Sequence, residues 1–536
     1  MKKTLLTLML SFLLISSSFA QLVEISGLIT SDLTLTKNFT YKLVGFVRVI
    51  PPAVLTINAG TLIVGDNATQ GSLIVEPGAK IMAMGTESEP IVFTSEFALQ
   101  GSGGSPTYGD WGGIILLGNA TINVPGGTSQ IEGPGDLFGG NDDNDNSGEM
   151  HYVRIEYPGI AFSPNNEING LTFGGVGRGT QIDHIQVSYS GDDSYEWFGG
   201  TVNCKYLIAF RGLDDDFDTD FGFRGKLQYL FGLRDPNVAD VVSGSNGFES
   251  DNDGSGSLNT PRTTPTWWNV TLVGPLETTA TTISPDFKRG MHLRRSSRNR
   301  ISNAIIMGWP IGILIDGANT VQAAIDDSMW IHNTIVSGWT ATTAMDTVSS
   351  NGLSFDMSTW FTNNAGRTYA TNTEVMLTDP FNLDNPNFLP IVGSPALTGY
   401  DTPPNDGFFD PSGTFVGAFG STDWTENWTD FTPGDYVLSV EETELDGIPA
   451  SFELAQNYPN PFNPSTKIRY SLTNASNVKL TVFNVLGQEV AILVDGLRQA
   501  GTYEVNFEAT NLPAGIYLYT LKAGSFEVTK KMALLK

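Results

Sequence analysis

Apolar residues recur along this chain in short runs separated by Gly, Asn and Pro, and continuous helical periodicity is absent after the first twenty residues. Such runs predict β-strands punctuated by turns. Several of them repeat. LTINAGTLIVG and LIVEPGAKIMAMG begin 18 residues apart, at Leu55 and Leu73. NVTLVG, NAIIMGW and NTIVSGW begin at Asn269, Asn303 and Asn333, and each has an apolar residue three positions later and a Gly five positions later.

These repeats vary in spacing, which suits a coil whose turns keep their strands while the connecting loops differ in length. A looser copy, NCKYLIAF, begins at Asn203. Stacked strands lie about 4.8 Å apart, and at that distance equivalent Asn side chains can hydrogen-bond along the stack. We therefore predict an all-β fold in which residues 21–420 form a right-handed parallel β-helix. One or two antiparallel β-sandwiches remain the alternative.

The pattern changes at Phe452. The segments KIRYSL, VKLTVFN, YEVNFEA and IYLYTLKAG alternate apolar and polar residues between Gly, Pro and Asn turns. This alternation is typical of a small antiparallel β-sandwich of the immunoglobulin-like kind. Residues 452–536 are therefore predicted to fold as a separate domain. Residues 421–451, with several acidic side chains, are predicted to be a solvated linker.

The N-terminus predicts export. Lys2 and Lys3 precede an apolar run over residues 5–15, and a small-residue cleavage site follows between Ala20 and Gln21. Residues 1–20 therefore fit a secretory signal peptide. The run is too short to cross a bilayer, and no later run reaches the roughly 18 apolar residues that a spanning helix needs. The sequence thus predicts an exported chain without a membrane span.

Charge and cysteine content narrow the range of functions. The formal net charge is -28; because the signal peptide and residues 452–536 are each net positive by two, residues 21–451 carry -32. Nucleic acid is an unsuitable partner, since its phosphates require many cationic contacts. Divalent cations fit better. Cys204 is the only cysteine, so no disulfide framework exists, and its strand-like setting predicts a buried apolar role.

The strongest local signal is the acidic segment DDDFDTDF. If it forms one strand, alternate side chains project to opposite faces, so Phe217 and Phe221 face the core and four aspartates form an outer row. Like charges so close repel one another, and calcium, which takes six to eight oxygen ligands, would relieve the repulsion. A solvated acidic edge and a catalytic cluster are the alternatives. The predicted calcium ligands here are Asp214, Asp216, Asp218 and Asp220.

Two further acidic loops resemble calcium loops in their alternating oxygens before a glycine. DNDNSGE offers Asp143, Asp145 and Ser147, and ESDNDGSG offers Glu249, Asp251 and Asp253. Both lack the acidic residue at the twelfth position, so neither is an EF-hand. Hydrated turns are the alternative interpretation for each.

Aromatic and basic residues suggest glycan contacts. Tyr195 and Trp197 in DDSYEWF could stack on a sugar ring, and Arg294, Arg295 and Arg298 in LRRSSRNR could bind an acidic polysaccharide or lipopolysaccharide phosphate. Charge pairing with acidic side chains on adjacent turns is the alternative for the arginines. The histidines are scattered and are interpreted as structural.

The tail, with YPNPFNPST, VFNVLGQEV, LPAGIYLYTL and the closing TKKMALLK, resembles the C-terminal sorting domain of type IX secretion cargo from Bacteroidota-type bacteria. The stretches DDDFDTDFGFRGKLQ and SGSNGFESDN resemble a family of exported β-helix proteins to which we can assign no activity. The resemblance implies passage through the periplasm, recognition by the outer-membrane translocon, and a final place outside the cell or on its surface.

Three functions are compatible with these features. The leading hypothesis is a glycan-binding or adhesive protein with calcium as a structural ion. The alternative is a calcium-assisted lyase or hydrolase that acts on acidic polysaccharide, for which Arg224 and Lys226 are nearby bases. A purely structural surface element is the third.

Overall fold

The fold is described from a computed structural model, which describes residues 22–163, 166–437, 442–445, 452–509, 512–524 and 526–535. The signal cleavage site predicted at Ala20 and Gln21 lies outside these residues. The chain divides into two compact units, which are described separately. The larger comprises Val23–Lys37 and Tyr41–Val437, and the smaller contains the C-terminal strands.

The larger unit is a parallel β-helix, as predicted. Strands on successive turns pair in parallel and form three faces, here called sheets A, B and C. Sheets A and B share long strands that bend between them: Gly148–Glu156, Gln181–Ser188, Asn203–Phe210, Lys226–Leu233, Thr266–Val273 and Arg300–Met307. Sheet A also contains Leu33–Leu35, Val54–Asn58, Lys80–Met84 and Trp330–His332, and sheet B contains Leu62–Gly65, Ile91–Ser95, Ile335–Ser337 and Arg367–Tyr369.

Sheet C follows sheet B in each turn. Its strands are Ser72–Val75, Gly113–Leu117, Leu171–Gly174, Tyr195–Phe198, Phe217–Asp220, Ser245–Ser250, Phe287–Leu293, Ile311–Asp316 and Met345–Val348. At the N-terminal end, Leu22–Ile29 pairs with Thr40–Val49, which continues into the sheets. The register stacks like positions, so that Leu171, Tyr195 and Phe217 form one fully buried column. Each turn buries its apolar stripe only because its neighbours cover it.

A bend of left-handed backbone separates sheets A and B on successive turns. It is formed by Tyr152, His184, Tyr206, Tyr229, Asn269, Asn303 and Asn333, whose φ angles lie between 47° and 62°. Asn tolerates this conformation better than most residues. The aromatic members stack instead: the His184 ring lies 4.3 Å from the rings of both Tyr152 and Tyr206. The register places Asn203 beside Gln181, outside this column.

The predicted ladder of Asn side chains is therefore wrong, because the Asn amides bind a different segment. Residues 399–437, here called the strap, run back along the outside of the helix. Asn333 donates to Gly399 O, and Asn269 donates to Gly413 O and Phe415 O. Asn303 both donates to Asp401 O and accepts from Asp401 N.

The strap also corrects the predicted domain boundary. Residues 421–437, assigned from sequence to a linker, belong to the compact β-helix unit. Gln186 exchanges two hydrogen bonds with the backbone of Asp430, and Trp428 is 1% exposed. The part of the proposed linker that the structure describes up to Val437 is thus packed rather than solvated.

Short elements decorate the helix. The α-helices are Ala318–Ile325 and Met357–Asn363, and 3₁₀ turns occupy Glu96–Ala98, Asn372–Val375 and Pro395–Leu397. Three antiparallel ribbons pair Ser129–Gln130 with Leu137–Phe138, Ile160–Ser163 with Asn166–Ile168, and Leu377–Asp379 with Asn387–Pro390. The first two ribbons cover the apolar outer face of early sheet C, where Ile131, Phe138 and Ile168 cluster with Ile115. On the later coils of the helix, which these ribbons do not cover, the outer face of sheet C carries polar residues.

The smaller unit confirms the predicted antiparallel region. Its two four-stranded sheets are built from Glu442–Leu445, Glu453–Leu454, Ser465–Leu472, Ser476–Asn484, Glu489–Arg498, Gly501–Glu508, Gly515–Ala523 and Phe526–Leu534. Apolar residues at alternate positions, such as Ile468, Tyr470 and Leu472, are fully buried between the sheets. The alternation seen in the sequence therefore reports one buried face per strand.

Candidate acidic site on sheet C

The outer face of sheet C carries a column of polar residues. The strand registers align Thr172, Glu196, Asp218, Glu249 and His292 on successive turns. Because adjacent turns lie about 4.8 Å apart, neighbouring side chains in this column can share a ligand.

Carboxylates from two adjacent turns converge at the start of this column. One oxygen each from Asp193, Glu196 and Asp218 lies within 4.8 Å of the others, and the same holds for Asp192, Asp193 and Asp214. Asp193 belongs to both groups. It and Glu196 are each 8% exposed, so these charges are largely removed from water. Two groups of three close carboxylates offer the oxygen ligands that a hard divalent cation prefers.

The carboxylates of this group have too few positive charges near them to balance their own. Burial, followed by repulsion from neighbouring carboxylates, raises the pKa of Asp193, Glu196 and Asp218 well above the usual range. The same causes raise the pKa of Asp192 and Asp214. A buried acid whose pKa rises this way resists ionisation, and a bound cation would reverse the effect.

Hydrogen bonds hold part of the cluster in place. Asp193 accepts from the backbone N–H of Asp215 at 2.8 Å, and Asp215 accepts from the backbone N–H of Asn246 at 2.5 Å. Asn169 donates its side-chain amide to Glu196. Oδ1 of Asp218 is buried and has no hydrogen-bond partner among the described residues. An unsatisfied buried oxygen calls for an explanation such as an ion or a water.

The predicted row of four aspartates is wrong at Asp216. The strand begins at Phe217, so strict alternation applies only to Phe217–Asp220. Asp216 turns inward instead and is 0% exposed. Its Oδ1 accepts from Arg234 at 2.8 Å, and Gly232 leaves the room, since a Cβ there would lie 2.5 Å from Asp216 Oδ2. Asp216 is thus engaged in a buried ion pair rather than available to a surface cation.

The other three predicted ligands of this segment lie on the outer face. Asp214 and Asp218 join the two carboxylate groups, while Asp220 follows Asp218 on the same strand. Burial and the nearby Asp251 raise the pKa of Asp220 to about 8. Three of the four predicted ligands therefore share one surface.

The glycan-stacking prediction for Tyr195 and Trp197 is wrong, because both side chains are 0% exposed. They point into the helix, where Tyr195 stacks on Phe217 at 5.3 Å and Trp197 stacks on Phe173 at 5.4 Å. Their strand is apolar at the inward positions, and Glu196 is the residue between them that faces outward.

The predicted ligands of the first acidic loop are engaged by other protein groups. Asp143 forms an ion pair with Arg224 at 3.2 Å and accepts from Thr121 N. Asp145 accepts from the Asn119 amide at 3.0 Å. Ser147 is 1% exposed and donates to Leu117 O. These three predicted ligands do not form a carboxylate group of the kind found on sheet C.

The second acidic loop faces the basic segment. Asp251 binds Arg294 at 2.9 Å and Arg295 at 2.7 Å, and Arg294 also reaches Glu249 at 2.6 Å. Asp253 accepts from the hydroxyls of Ser255 and Ser257. For Arg294 and Arg295 the structure thus supports charge pairing, the alternative that the sequence left open. Arg298 forms no such pair within the described residues.

The candidate bases and three of the histidines contact acidic side chains. Lys226 pairs with Asp406 of the strap at 2.5 Å, and Arg224 is occupied by Asp143, so neither is a free base at the site. His151 and His184 both contact Asp183, at 2.8 and 2.7 Å. His292 contacts Glu249 at 3.2 Å, and burial lowers its pKa to about 4. Cys204 is buried and unpaired, as predicted.

Sequence reasoning missed Asp192, Asp193 and Glu196. A signal for them was present, because DDSYEWF and DDDFDTD align without gaps at a separation of 22 residues. This alignment matches Glu196 with Asp218, as the register does. The separation is one full turn of the helix, so the acids stack.

No helix in the described part of the chain has the length and apolar character needed to span a membrane. Comparison with known families matches residues 27–378 to a pectate-lyase-like β-helix domain and residues 456–534 to a secretion system C-terminal sorting domain. No curated protein matches. A solved structure titled as the crystal structure of Dettilon tailspike protein is 10% identical and covers 91% of this chain and 87% of its own, with a TM-score of 0.21.

The first match spans more than half of the chain and agrees with the parallel register of sheets A, B and C. The second coincides with the antiparallel unit and assigns delivery to the cell surface or the extracellular space. This chain therefore belongs to the pectate-lyase-like β-helix family and is a type IX secretion cargo with a β-helix passenger.

Proposed function

We propose that the passenger binds acidic polysaccharide outside the cell through a divalent cation, calcium, held by Asp193, Glu196 and Asp218. The observation that carries this proposal is the convergence of these three carboxylates within 4.8 Å on one face of sheet C. Three carboxylates supply at most six oxygens, and calcium takes six to eight. The remaining positions would accept a carboxylate of the glycan.

The charge balance supports the same proposal. The carboxylates of this group are mostly buried, and their ionisation is opposed by burial and by one another. The nearby arginines Arg294 and Arg295 are committed to Glu249 and Asp251. A cation from solution would therefore stabilise ionised carboxylates that the protein itself leaves unbalanced.

Calcium titration of the full-length protein after chelation tests the proposal. We expect saturable binding in calorimetry and retention of polygalacturonate that requires calcium. Asp218→Asn should weaken calcium binding at least tenfold, because it removes one of three ligands while keeping the side-chain shape. Asp346→Asn is the matched control, since Asp346 continues the same column but is exposed and outside the group.

Two outcomes would contradict the proposal. One is the absence of saturable calcium binding. The other is polygalacturonate retention that persists unchanged in chelator and in Asp218→Asn.

A second candidate function, lysis of the bound polysaccharide, is favoured by Arg289. The register places Arg289 beside Asn246 on sheet C. Its Nε is buried without a hydrogen-bond partner in the described residues, and burial lowers its pKa. A base at this place would remove the proton next to the uronate carboxylate. The electron pair of that C–H bond would form a double bond, the C–O bond to the leaving sugar would break, and the leaving oxygen would take a proton from water.

Ultraviolet absorbance of unsaturated products separates the two functions. A lyase would produce absorbance with calcium and polygalacturonate, and Arg289→Gln would abolish it while retention persists. Retention without new absorbance in the native protein supports binding alone.

A further inference from the structure

A second charged site lies at the corner that follows sheet C, and it has the opposite sign. Arg262 precedes the strand Thr266–Val273, and Arg298 precedes the next turn's strand, Arg300–Met307. The backbone N–H of Arg298 donates to Thr263 O at 2.8 Å, which places the two arginines on adjacent turns. Burial and then the charge of Arg298 lower the pKa of Arg262, so the two guanidinium groups act on each other.

These guanidinium groups lack the carboxylate partners that the neighbouring arginines have. Within the described residues, neither forms an ion pair, and the Nε of each is buried without an acceptor. Arg262 donates its other nitrogens to the backbone carbonyls of Ser257 and Ser296, which are neutral. The contrast is with Arg294 and Arg295, whose charges are balanced by Glu249 and Asp251.

Asp253 is the acid that acts on Arg262 electrostatically, but its oxygens are occupied. Oδ1 accepts from Ser255 and from the backbone of Ser257, and Oδ2 accepts from the Ser257 hydroxyl. Two adjacent cations with unsatisfied buried donors cost free energy unless an acceptor with negative charge joins them. An oxyanion suits this place, because guanidinium groups bind carboxylate, sulfate and phosphate oxygens with paired hydrogen bonds.

We infer that Arg262 and Arg298 form a binding site for an oxyanion, of the kind carried by sulfated glycans. The site is distinct from the carboxylate group on sheet C and needs no cation. Arg262 is held in place by Ser257 and Ser296, and Arg298 supplies the second charge. A strongly acidic protein would in this way gain a local point of attachment for a polyanion.

Sulfate titration of the full-length protein in chelator, at constant ionic strength adjusted with chloride, tests the site while leaving any cation site empty. We expect saturable sulfate binding and a rise in melting temperature beyond that given by chloride. Arg298→Gln should weaken sulfate binding at least tenfold. Arg300→Gln is the matched control, because Arg300 is exposed on the same segment, and it should change binding less than twofold.

A comparison of ligands identifies the source of the oxyanion. Retention of dextran sulfate that depends on Arg298 supports a glycan-borne ligand, and sulfate binding without glycan retention supports a free anion. Absence of saturable sulfate binding in the native protein overturns the inference, as does equal weakening by Arg298→Gln and Arg300→Gln. Since the native-protein titration stands alone, poor folding of the variant would not leave the site untested.

Discussion

At the scale of the residue, the acidic segment shows how burial divides side chains of one type into different roles. Asp216 is fully buried, and Arg234 is its one charged partner among the described residues; Arg234 also lies over the ring of Phe287 at 5.4 Å. Asp218, two positions later, faces outward next to other acids. The sequence shows five aspartates in seven positions, but only the surroundings of each side chain decide which of them pairs with an arginine of the protein.

The raised pKa values of the outer carboxylates predict an unusual dependence of stability on pH. Burial raises the pKa of Asp215 and Asp220 to about 8. These groups keep their protons in the folded state while the unfolded chain loses its protons near pH 4. The folded state therefore binds more protons between those values, and stability falls as pH rises.

We expect the melting temperature in chelator to fall between pH 5 and pH 8, and calcium to reduce that fall, because the bound cation favours ionised carboxylates. Melting curves at several pH values, with and without calcium, measure both effects. Asp218→Asn should remove most of the calcium effect and Asp346→Asn should not. Parallel pH profiles with and without calcium in the native protein would contradict the expectation.

At the scale of the element, the strap is held by side-chain amides that take the place of a neighbouring strand. Gln186, Gln228 and Asn303 each donate to and accept from one backbone unit of the strap. An amide side chain offers a donor and an acceptor side by side, as a backbone peptide does. This explains the repeated Asn residues, for which stacking within the helix was the wrong interpretation.

Replacing one such amide should loosen the strap. Gln186→Ala leaves the backbone N–H and C=O of Asp430 without their partner, and an unsatisfied buried group costs about 1–3 kcal/mol. Gln181→Ala on the same strand is the control, because Gln181 is exposed, and exposed substitutions usually change stability by less than about 0.5 kcal/mol. Chemical denaturation measures both variants, and equal stability of the two would argue against the role of the amide.

At the scale of the whole β-helix unit, the strap links turns that are far apart in sequence. It begins near Asn333 and ends where Tyr436 donates to Glu156 at 2.7 Å and accepts from Arg154 at 3.0 Å. Along its length, Val416, Phe419 and Trp428 join the apolar cluster on the outside of sheet B.

Truncation should reveal this dependence. A chain that ends after Val437 keeps the strap and should melt close to the native β-helix. A chain that ends after Thr398 exposes the apolar surface of sheet B, and burial of each large apolar side chain contributes about 1.5–3 kcal/mol. We expect the shorter chain to melt at least several degrees lower or to aggregate. Equal melting temperatures of the two chains would show that the strap adds no stability.

The sequence by itself determined the two-part architecture, because the spacing of apolar residues in each strand reflects which of that strand's own side chains are buried. Apolar runs with repeated Gly and Asn predicted stacked turns, and strict alternation after Phe452 predicted an antiparallel sandwich. The acidic segment also marked the right face through Asp214 and Asp218. These features are visible because each strand buries its own residues at a regular period.

Only the tertiary structure decided which charged groups meet and which are buried. Asp193 and Glu196 lie close to Asp218 because this turn of the helix contains 22 residues. Tyr195 and Trp197 point into the helix because alternate side chains of a strand face opposite sides and Glu196, between them, faces outward. Arg294 finds Asp251 across 43 residues, and the strap reaches back over more than 270 residues to Tyr157. Loop lengths between turns vary freely, so the position along the chain does not predict which residues lie side by side in a stack.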